Sequence, residues 1–183
     1  MAVSRAQWVA AGLGALAADG LTAVAVEPLA RRIGVTKGSF YWHFANRQDL
    51  LEAVLARWVE LGTDQVIERL SAVEDPRERL RLLLLEAYEL HPSGVLQALT
   101  TAGDDPVVEA TLADVTERRM AFLERCYRDL GCGKAEARQW ALTGYSAYVG
   151  LVHISRVAPE RAREGRARRA YLTHLQEVLD PGR

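Results

Sequence analysis

The sequence predicts an all-α protein, in which an N-terminal three-helix unit precedes a larger helical bundle, about nine helices in total. Three observations lead to this prediction. Apolar residues recur at helical spacing, and no segment of useful length alternates apolar and polar residues as a half-buried strand would. Six prolines punctuate the helical stretches. Residues 28–44 also contain two short helical stretches separated by a single glycine.

The first helix is predicted to begin at Ser4 and to end at Gly20. Ser4 and Gln7 have the spacing of a capping box, in which each side chain bonds the backbone amide of the other residue. The second helix has Pro28 as its first residue, where a missing amide hydrogen is no loss. Gly34 then ends this helix, because glycine readily adopts the left-handed conformation found after helix C-termini.

The third helix, from Thr36 to about residue 44, carries bulky aromatic residues on opposite faces. With the Thr36 hydroxyl capping the first turn, Phe40 and Phe44 share one side, which we expect to be buried. Tyr41 and Trp42 are then left in water unless another surface covers them. Gly38 is costly inside a helix but reasonable where a backbone must approach another surface closely. A DNA major groove and its phosphates would be such a surface.

Two helices joined by a one-glycine turn form the helix-turn-helix pattern. The run LARRIGVTKGSFYWHF at residues 29–44, followed by NRQDLL at 46–51, resembles the DNA-binding domain of the tetracycline-repressor (TetR) family of bacterial transcriptional regulators. The resemblance covers roughly the first third of the chain. It implies a helix-turn-helix DNA-binding domain over residues 1–47 and a ligand-binding and dimerisation domain over residues 48–183.

The resemblance also implies which residues contact DNA. The start of the third helix would read base edges, the residues after it would touch phosphate, a thymine methyl group or the domain core, and the residue that opens the fourth helix would grip phosphate. This set is Thr36, Lys37, Gly38, Ser39, Tyr41, Trp42, His43 and Arg47. The chain departs from the family at Ala25, Val26 and Glu27, where many members have a threonine followed by a basic residue. The departure removes a phosphate contact and places a carboxylate near the DNA.

The later helices are delimited by caps and turns. A long helix runs from an Asn46–Asp49 capping box to about Val73, and aspartate–proline pairs open two further helices. The remaining predicted boundaries are Asp75–Pro76, a break at residues 91–94, a short helix over 95–102, Asp105–Pro106 to Leu130, a turn at 131–133, a helix from Ala135 to about Val157, and a last helix around Tyr171–Leu179.

The last two helices carry the pattern of an interaction surface. Five positions on the first keep a 4-3-4-3 spacing that includes small residues, which allow close helix approach. With the apolar positions of the last helix, they form the predicted homodimer interface: Trp140, Gly144, Ala147, Leu151, Ile154, Leu172, Leu175 and Leu179. A second stripe, Leu142, Tyr145, Val149 and Val152, is expected to turn toward the bundle. The family resemblance favours a dimer; the alternative is an ordinary internal helix of a monomer.

An effector site is predicted inside the C-terminal bundle. The candidates are polar-tipped or soft side chains expected to face the interior: Tyr88, His91, Met120, Tyr127, Tyr145, Tyr148 and His153. Taken singly, each is more simply explained as a core or surface residue with a satisfied polar tip. Together they would line an aromatic-rich cavity that suits a neutral or weakly polar organic molecule.

Composition narrows the class of protein. The chain of 183 residues has a net charge of −1; residues 1–48 hold five Lys or Arg against two acidic residues, a balance of +3, so the remainder carries −4. This asymmetry fits a DNA-facing N-terminal end. No apolar run has membrane length, no signal-peptide pattern is present, and two cysteines make no disulfide framework. We therefore expect a cytoplasmic protein.

No cofactor, metal site or catalytic centre is expected. Cys126 and Cys132 lie six residues apart with no nearby histidine, and the four histidines show no ligand spacing. The chain has no nucleophile elbow, no phosphate-cradling glycine loop and no Cys–His signature. The arginine-rich stretch 156–169 contains interspersed glutamates and is interpreted as a solvated connection; a second DNA patch or a site for an acidic partner is the alternative.

These observations predict a ligand-responsive, DNA-binding transcriptional regulator. Its partners would be double-stranded operator DNA, a second copy of the chain and a small organic effector that releases a homodimeric repressor from a near-palindromic operator. The long helix that begins at Asn46 would transmit the effector signal. The alternative, made conceivable by Ala25, Val26 and Glu27, is a helical small-molecule-binding regulator with weak or lost DNA affinity. An enzyme is a third class, for which the sequence offers no catalytic constellation.

Overall fold

The computed structural model describes residues 3–87, 94–161 and 166–182, and these ranges contain helices and the turns that join them. The helices are α1 (Arg5–Asp19), α2 (Val26–Ile33), α3 (Lys37–Phe40), α4 (Arg47–Val59), α5 (Gln65–Ser71), α6 (Pro76–Leu85), α7 (Gly94–Thr100), α8 (Pro106–Asp129), α9 (Lys134–Val157) and α10 (Arg166–Val178). A 3₁₀ turn (Leu21–Ala23) follows α1, and a π turn (Glu60–Asp64) joins α4 to α5. Because α4, the π turn and α5 continue without a break, the described residues form nine helical segments, and the predicted all-α fold is confirmed.

The chain divides into two compact units, one of residues 1–62 with 92–113 and one of residues 63–91 with 114–183. It crosses from the first unit to the second inside the π turn, and again within α8. The sequence predicts a functional boundary between residues 47 and 48, with DNA binding before it and ligand binding and dimerisation after it. This boundary concerns function rather than compactness, and it stays a prediction.

In the first unit, α1 begins and ends as its sequence predicts. The Ser4 hydroxyl accepts a bond from the Gln7 amide at 3.3 Å, and the Gln7 side chain accepts one from the Ser4 amide at 2.9 Å. Gly20, with φ of 85°, follows the last turn. The buried face of α1 carries Trp8 and Leu16, which are wholly inaccessible to solvent.

Close packing of α1 on α4 depends on a glycine. Gly12 is buried, and a Cβ atom added there would lie 2.6 Å from Cγ2 of Val54. Valine has little freedom at χ1, so this methyl group cannot easily move aside. Glycine at position 12 therefore sets how closely the two helices approach.

The core of the second unit is centred on Tyr127, where α6, α8, α9 and α10 meet. The Tyr127 hydroxyl donates a buried hydrogen bond to the Leu179 carbonyl at 3.1 Å, and its ring stacks on Trp140 with centroids 5.9 Å apart. The residues buried around it are Leu80, Leu84, Leu123, Cys132, Ala137, Ala141, Leu172, Leu175 and Leu179. A buried hydroxyl group needs a hydrogen-bond partner, and the carbonyl of Leu179, just after α10, is the partner here.

A second, smaller cluster holds Cys126 among Val66, Leu70 and Phe122. Burial raises the pKa of the Cys126 thiol to about 11, so this side chain stays neutral and packs as a small apolar group. Both cysteines are free thiols. Among the described residues, no group of three potential ligands could hold a metal ion, and no described helix has the length and apolar character needed to cross a membrane.

The π turn is held to α8 within the second unit. Thr63 is almost wholly buried, and its hydroxyl accepts a bond from Nε of Arg119 at 3.1 Å. The next residue, Asp64, forms an ion pair with Arg118. A π turn widens the helix by one residue per turn and is often found at functional positions.

Four of the eight residues predicted for the dimer face, Gly144, Leu172, Leu175 and Leu179, are buried within their own subunit, so the prediction is wrong for these four. The space beside Gly144 is occupied by Leu179 and Tyr127, at 3.7 and 4.0 Å from an added Cβ atom. Trp140, Ala147 and Leu151 pack against the core that buries Leu172, Leu175 and Leu179. Ile154 is exposed, as an interface residue should be, but Leu142 is also exposed rather than turned toward the bundle. The large apolar side chains that α9 and α10 expose are Leu142, Ile154, Val157, Tyr171 and Val178.

We expect Gly12→Ala to lower the free energy of unfolding by about 1–3 kcal/mol, because the added methyl group overlaps Val54. Gly14→Ala is the matched control in the same helix, since its added Cβ would meet only Arg32, at 3.9 Å. The control should gain up to about 1 kcal/mol from helix propensity. Urea unfolding followed by circular dichroism measures both, and equal effects of the two variants would contradict this account of the packing.

Candidate nucleic-acid interface

Two phenylalanines fix α3 to the first unit. Phe40 and Phe44 are buried, and their rings stack with centroids 5.4 Å apart. Trp8 of α1 contacts Phe40 edge-on, also at 5.4 Å, and the Arg5 guanidinium lies 4.7 Å from the centre of the Phe44 ring. The predicted buried face is therefore confirmed. The helix is shorter than expected, since its regular part ends at Phe40, and the amides of His43 and Phe44 both turn back to the Phe40 carbonyl.

The opposite side of this segment faces solvent. Tyr41 is 59% exposed and Trp42 is 87% exposed, and these are among the largest apolar side chains that the described residues leave in water. Thr36, Lys37 and Gly38 are also exposed, and Ser39 is partly exposed. We call these six residues the α3 ridge. The segment thus combines a rigid apolar base with an open, polar and aromatic surface.

No contact among the described residues requires glycine at position 38. An added Cβ atom would lie 3.8 Å from the Thr36 hydroxyl, an ordinary contact distance. Glycine lowers helix stability relative to alanine, so its presence here is not explained by internal packing. Close approach of an external surface is the remaining physical reason.

The turn between α2 and α3 has the predicted geometry, with Gly34 in the left-handed region at φ 79°, ψ 35°. Two details of the prediction are wrong. Pro28 is the third residue of α2 rather than the first, because the helix already begins at Val26. Thr36 stands at the N-cap of α3 with extended backbone, but its hydroxyl makes no capping hydrogen bond. The helix is only one turn long, and the Thr36 carbonyl accepts the Ser39 amide instead.

Arg47 is placed differently from the expectation. Its Nε donates to the Val24 carbonyl at 2.8 Å, and its Nη2 donates to the Leu21 carbonyl at 3.1 Å. The guanidinium thereby closes the turn that follows α1 onto the start of α4. These bonds favour a positioning role over the predicted phosphate contact. Sequence reasoning missed them because backbone acceptors in an irregular turn leave no pattern of residue types.

His43 and Asn46 hold the two ends of the segment after α3. The His43 Nε2 atom lies 2.6 Å from the Val3 carbonyl, which ties the segment to the chain before α1. Asn46 caps α4 as predicted, its side chain accepting from the Asp49 amide at 3.0 Å. Asp49 does not complete the box at Asn46; its carboxylate accepts instead from the amide of Ala45. His43 therefore contacts the backbone of its own chain, and its two predicted roles, against phosphate or the domain core, stay predictions.

An ion pair joins the starts of α2 and α3 and was not predicted. The Lys37 ammonium donates to Oε1 of Glu27 at 2.9 Å, and both side chains are more than half exposed. Their mutual hydrogen bond and charge raise the pKa of Lys37 and lower the pKa of Glu27. The sequence feature that could have indicated this ion pair is two opposite charges ten residues apart, on either side of the glycine turn.

A groove of about 440 Å³ lies beside this pair. It brings together the start of α2, the first residue of α3 and the capped start of α4. Helix N-termini present unpaired amides and partial positive charge, which favours anions. The lining residues are Ala25, Val26, Glu27, Pro28, Lys37, Phe40, Tyr41, Ala45, Asn46 and Arg47.

The predicted effector residues are only partly brought together. Tyr148 has its ring 6.1 Å from that of Tyr145, whose hydroxyl lies 3.2 Å from that of Thr116. Both tyrosines and Met120 are partly buried against the same core. Tyr127 faces the interior as expected, where its hydroxyl donates to the Leu179 carbonyl. His153 is exposed rather than interior, so the expectation for this residue is wrong. Tyr88 and His91 lie outside the described residues.

Sequence comparison gives the relationship of the N-terminal end. Residues 9–54 match the family model of bacterial regulatory proteins, tetR family. The HTH-type transcriptional regulator SrpR of Pseudomonas putida is 29% identical over 107 residues, which is 51% of this chain and 50% of SrpR. The chain thus spans about half the length of this curated relative.

Comparison of structures extends the likeness to the whole fold. A transcriptional regulator from Rhodococcus sp. Rha1 superposes with a TM-score of 0.76 at 22% identity, covering 97% of this chain and 94% of that one. The transcriptional regulator FadR from Bacillus subtilis, solved in complex with stearoyl-CoA, gives a TM-score of 0.74 at 16% identity, covering 98% of this chain and 100% of the other. At these identities the likeness concerns the fold alone.

If Arg47 positions the helices, Arg47→Lys should destabilise the protein in the absence of DNA. Lysine cannot bond both carbonyls through a planar fork, and we expect a loss of about 1–3 kcal/mol. Arg32→Lys is the control, since Arg32 is exposed and its ion pair with the exposed Asp19 carboxylate is long, at 3.8 Å. This pair should contribute little to stability. Thermal and urea unfolding measure the difference. Unchanged stability of Arg47→Lys would return Arg47 to the predicted phosphate contact.

Proposed function

We propose, on the premise that this chain is a member of the tetR family of bacterial regulatory proteins, that it is a ligand-responsive, DNA-binding transcriptional regulator. The observation that carries the proposal is the α3 ridge. A buried phenylalanine pair holds it rigidly, and its outer side leaves Tyr41 and Trp42 in water. Exposed aromatic residues in a rigid helix-turn-helix suit a groove of duplex DNA with its adjoining phosphates.

Phosphate contacts and base contacts have different sources in this proposal. Phosphates would approach the groove at the starts of α2 and α4, where amide groups are presented. Tyr41 and Trp42 would touch the backbone or a thymine methyl group. Thr36, Lys37, Gly38 and Ser39 would face the base edges in the major groove, the Thr36 hydroxyl being available because it makes no cap.

A homodimer is part of the proposal. Leu142, Ile154 and Val157 on α9, with Tyr171 and Val178 on α10, expose apolar side chains that a second copy would cover. In a symmetric dimer the two α3 ridges would meet major grooves about 34–36 Å apart, or a multiple of that, so the operator would be a near-palindrome. We place the protein in the bacterial cytoplasm, where such an operator is found.

The effector is proposed to be a small organic molecule that binds near Tyr145, Tyr148 and Met120 in the second unit. Of these side chains, Tyr148 has its ring centre 6.0 Å from the Arg119 guanidinium, which also bonds Thr63 in the π turn. A molecule that displaced Arg119 would therefore act directly on the helix that continues into α4. Release of the operator requires a coupling of about 1–3 kcal/mol between the two sites.

A second candidate function is a helical ligand-binding regulator with weak DNA affinity. Ala25 has no polar side chain that could contact a phosphate, and Glu27 brings a carboxylate to the groove where phosphate would lie. Both features oppose nonspecific attraction to DNA. The salt dependence of binding separates this candidate from the first.

DNA binding tests the proposal directly. The full chain should bind its preferred duplex with an affinity that falls on the order of a thousandfold between about 50 and 200 mM salt, as several phosphate contacts require. Fluorescence anisotropy over a salt series measures this slope. Weak binding with a flat salt response would favour the second candidate.

Gly38→Ala gives a sharper version of the same test. The added methyl group fits the free protein but would stand between the helix and the groove floor, so we expect unchanged or higher stability with affinity lowered about tenfold. Gly14→Ala, elsewhere in the same unit, should leave affinity as it is. Full affinity in the Gly38→Ala variant would remove this part of the ridge from the interface.

The dimer face has its own test. Leu142→Glu and Val157→Glu place charges on the exposed apolar side of α9, and we expect both to yield monomers in sedimentation velocity, because a buried unpaired charge is costly. Thr173→Glu, an exposed polar position on α10, is the control and should remain dimeric. Intact dimers in both α9 variants would move the interface to another surface.

A further inference from the structure

The ion pair between Glu27 and Lys37 lies on the face that would meet DNA. We propose that the two side chains act as one reader of a G·C base pair, with Lys37 donating to guanine O6 and N7 and Glu27 accepting from the cytosine N4 amino group. Glu27 would then be a specificity-determining residue of the interface rather than an incidental negative charge. This inference rests on the proposed function and deepens it.

The count of donors and acceptors matches. An ammonium group has three N–H donors, and Lys37 uses one of them on Oε1 of Glu27 at 2.9 Å. Two remain, and guanine presents two acceptors in the major groove. The Glu27 carboxylate has two oxygens with further lone pairs, and the cytosine amino group directs one hydrogen into the groove. Each partner can therefore contact its base without giving up the ion pair.

The spacing also matches. Guanine O6 and cytosine N4 are bonded to each other within the base pair, about 2.9 Å apart as an N–H···O bond requires. The ammonium and carboxylate atoms of the protein pair lie 2.9 Å apart with the opposite polarity. When the protein pair lies beside the base pair, the Lys37 ammonium faces guanine O6 and the Glu27 carboxylate faces cytosine N4. A donor therefore meets an acceptor at each position. An A·T pair has adenine N6 as a donor at the place of guanine O6, so it would oppose the ammonium.

The fold holds the pair where this contact is possible. Lys37 is the first residue of α3 and Glu27 the second residue of α2, and the Gly34 turn fixes the two helix starts relative to each other. Both side chains border the groove that also contains Tyr41. Each is more than half exposed, so contact with DNA needs no rearrangement of the core.

Pairing also changes what Lys37 does when no base is in reach. A lone lysine is a flexible point charge that attracts any phosphate. Glu27 neutralises that charge locally and repels phosphate itself. Binding to random DNA is weakened by this arrangement, whereas the matched base pair retains both contacts. Specificity thus increases because affinity for random DNA falls while affinity for the matched base pair is kept.

The test uses the full chain and a panel of duplexes. Selection from random duplexes first defines the preferred operator, and each position is then replaced by the other three base pairs in competition binding. The wild type should prefer G·C at one position of each half-site by about tenfold. Glu27→Gln and Lys37→Met should each remove most of that preference at the same position, and the double variant should lose no more than either single one. Glu27→Gln should also bind random DNA more tightly.

Glu52→Gln, an exposed change of the same charge on α4, is the control and should leave the preference intact. The inference is overturned if Glu27→Gln raises affinity for all duplexes by one common factor and keeps the preference, since Glu27 would then act by repulsion alone. It is also overturned if the two variants alter different positions. Absence of salt-dependent binding by the wild type would overturn the proposed function together with this inference, so the two failures are distinguishable.

Discussion

Packing of Phe40 against Trp8 and Phe44 is the constraint on which the rest of the α3 ridge depends. A helix of one turn cannot hold itself together in water, so α3 owes its shape to these buried rings. Tyr41 and Trp42 lie in the turn between the two buried phenylalanines, and this turn leaves both side chains on the solvent side. Exposure of large aromatic residues is thus a consequence of core packing, and the surface is rigid because its base is buried.

Several polar contacts hold this surface in position. Arg47 bonds two backbone carbonyls of the turn after α1, and His43 reaches the carbonyl of Val3. Each bond spans more than twenty residues of sequence, so together they fix the helix starts that line the groove. The ion pair of Glu27 with Lys37 adds a defined pattern of donor and acceptor to that fixed frame. Specific recognition needs both parts, since a donor without a fixed position does not select a base.

The second unit contains an apolar core around Tyr127 and a polar contact between α8 and the π turn. Tyr127 fills the centre of the core, and its hydroxyl donates a buried hydrogen bond to the Leu179 carbonyl. The partly buried Tyr148 of α9 lies beside Arg119, and Arg119 contacts the π turn through Thr63. The chain changes from one compact unit to the other within that same turn. Any signal from the second unit along this helix must pass through a segment whose hydrogen bonding is already irregular.

Local patterns in the sequence determined the helices, the Ser4 and Asn46 caps, the Gly34 turn and the buried and exposed faces of α3, because capping, glycine conformation and helical periodicity act within a few residues. The tertiary structure alone decided the partners of Arg47, the pairing of Glu27 with Lys37 and the direction of the α9 stripe. Two apolar stripes on one helix look alike in sequence, and only the position of Tyr127 and Leu179 beside Gly144 turned one of them inward. Those outcomes depend on contacts between residues of different helices and turns, which residue type and spacing alone do not determine.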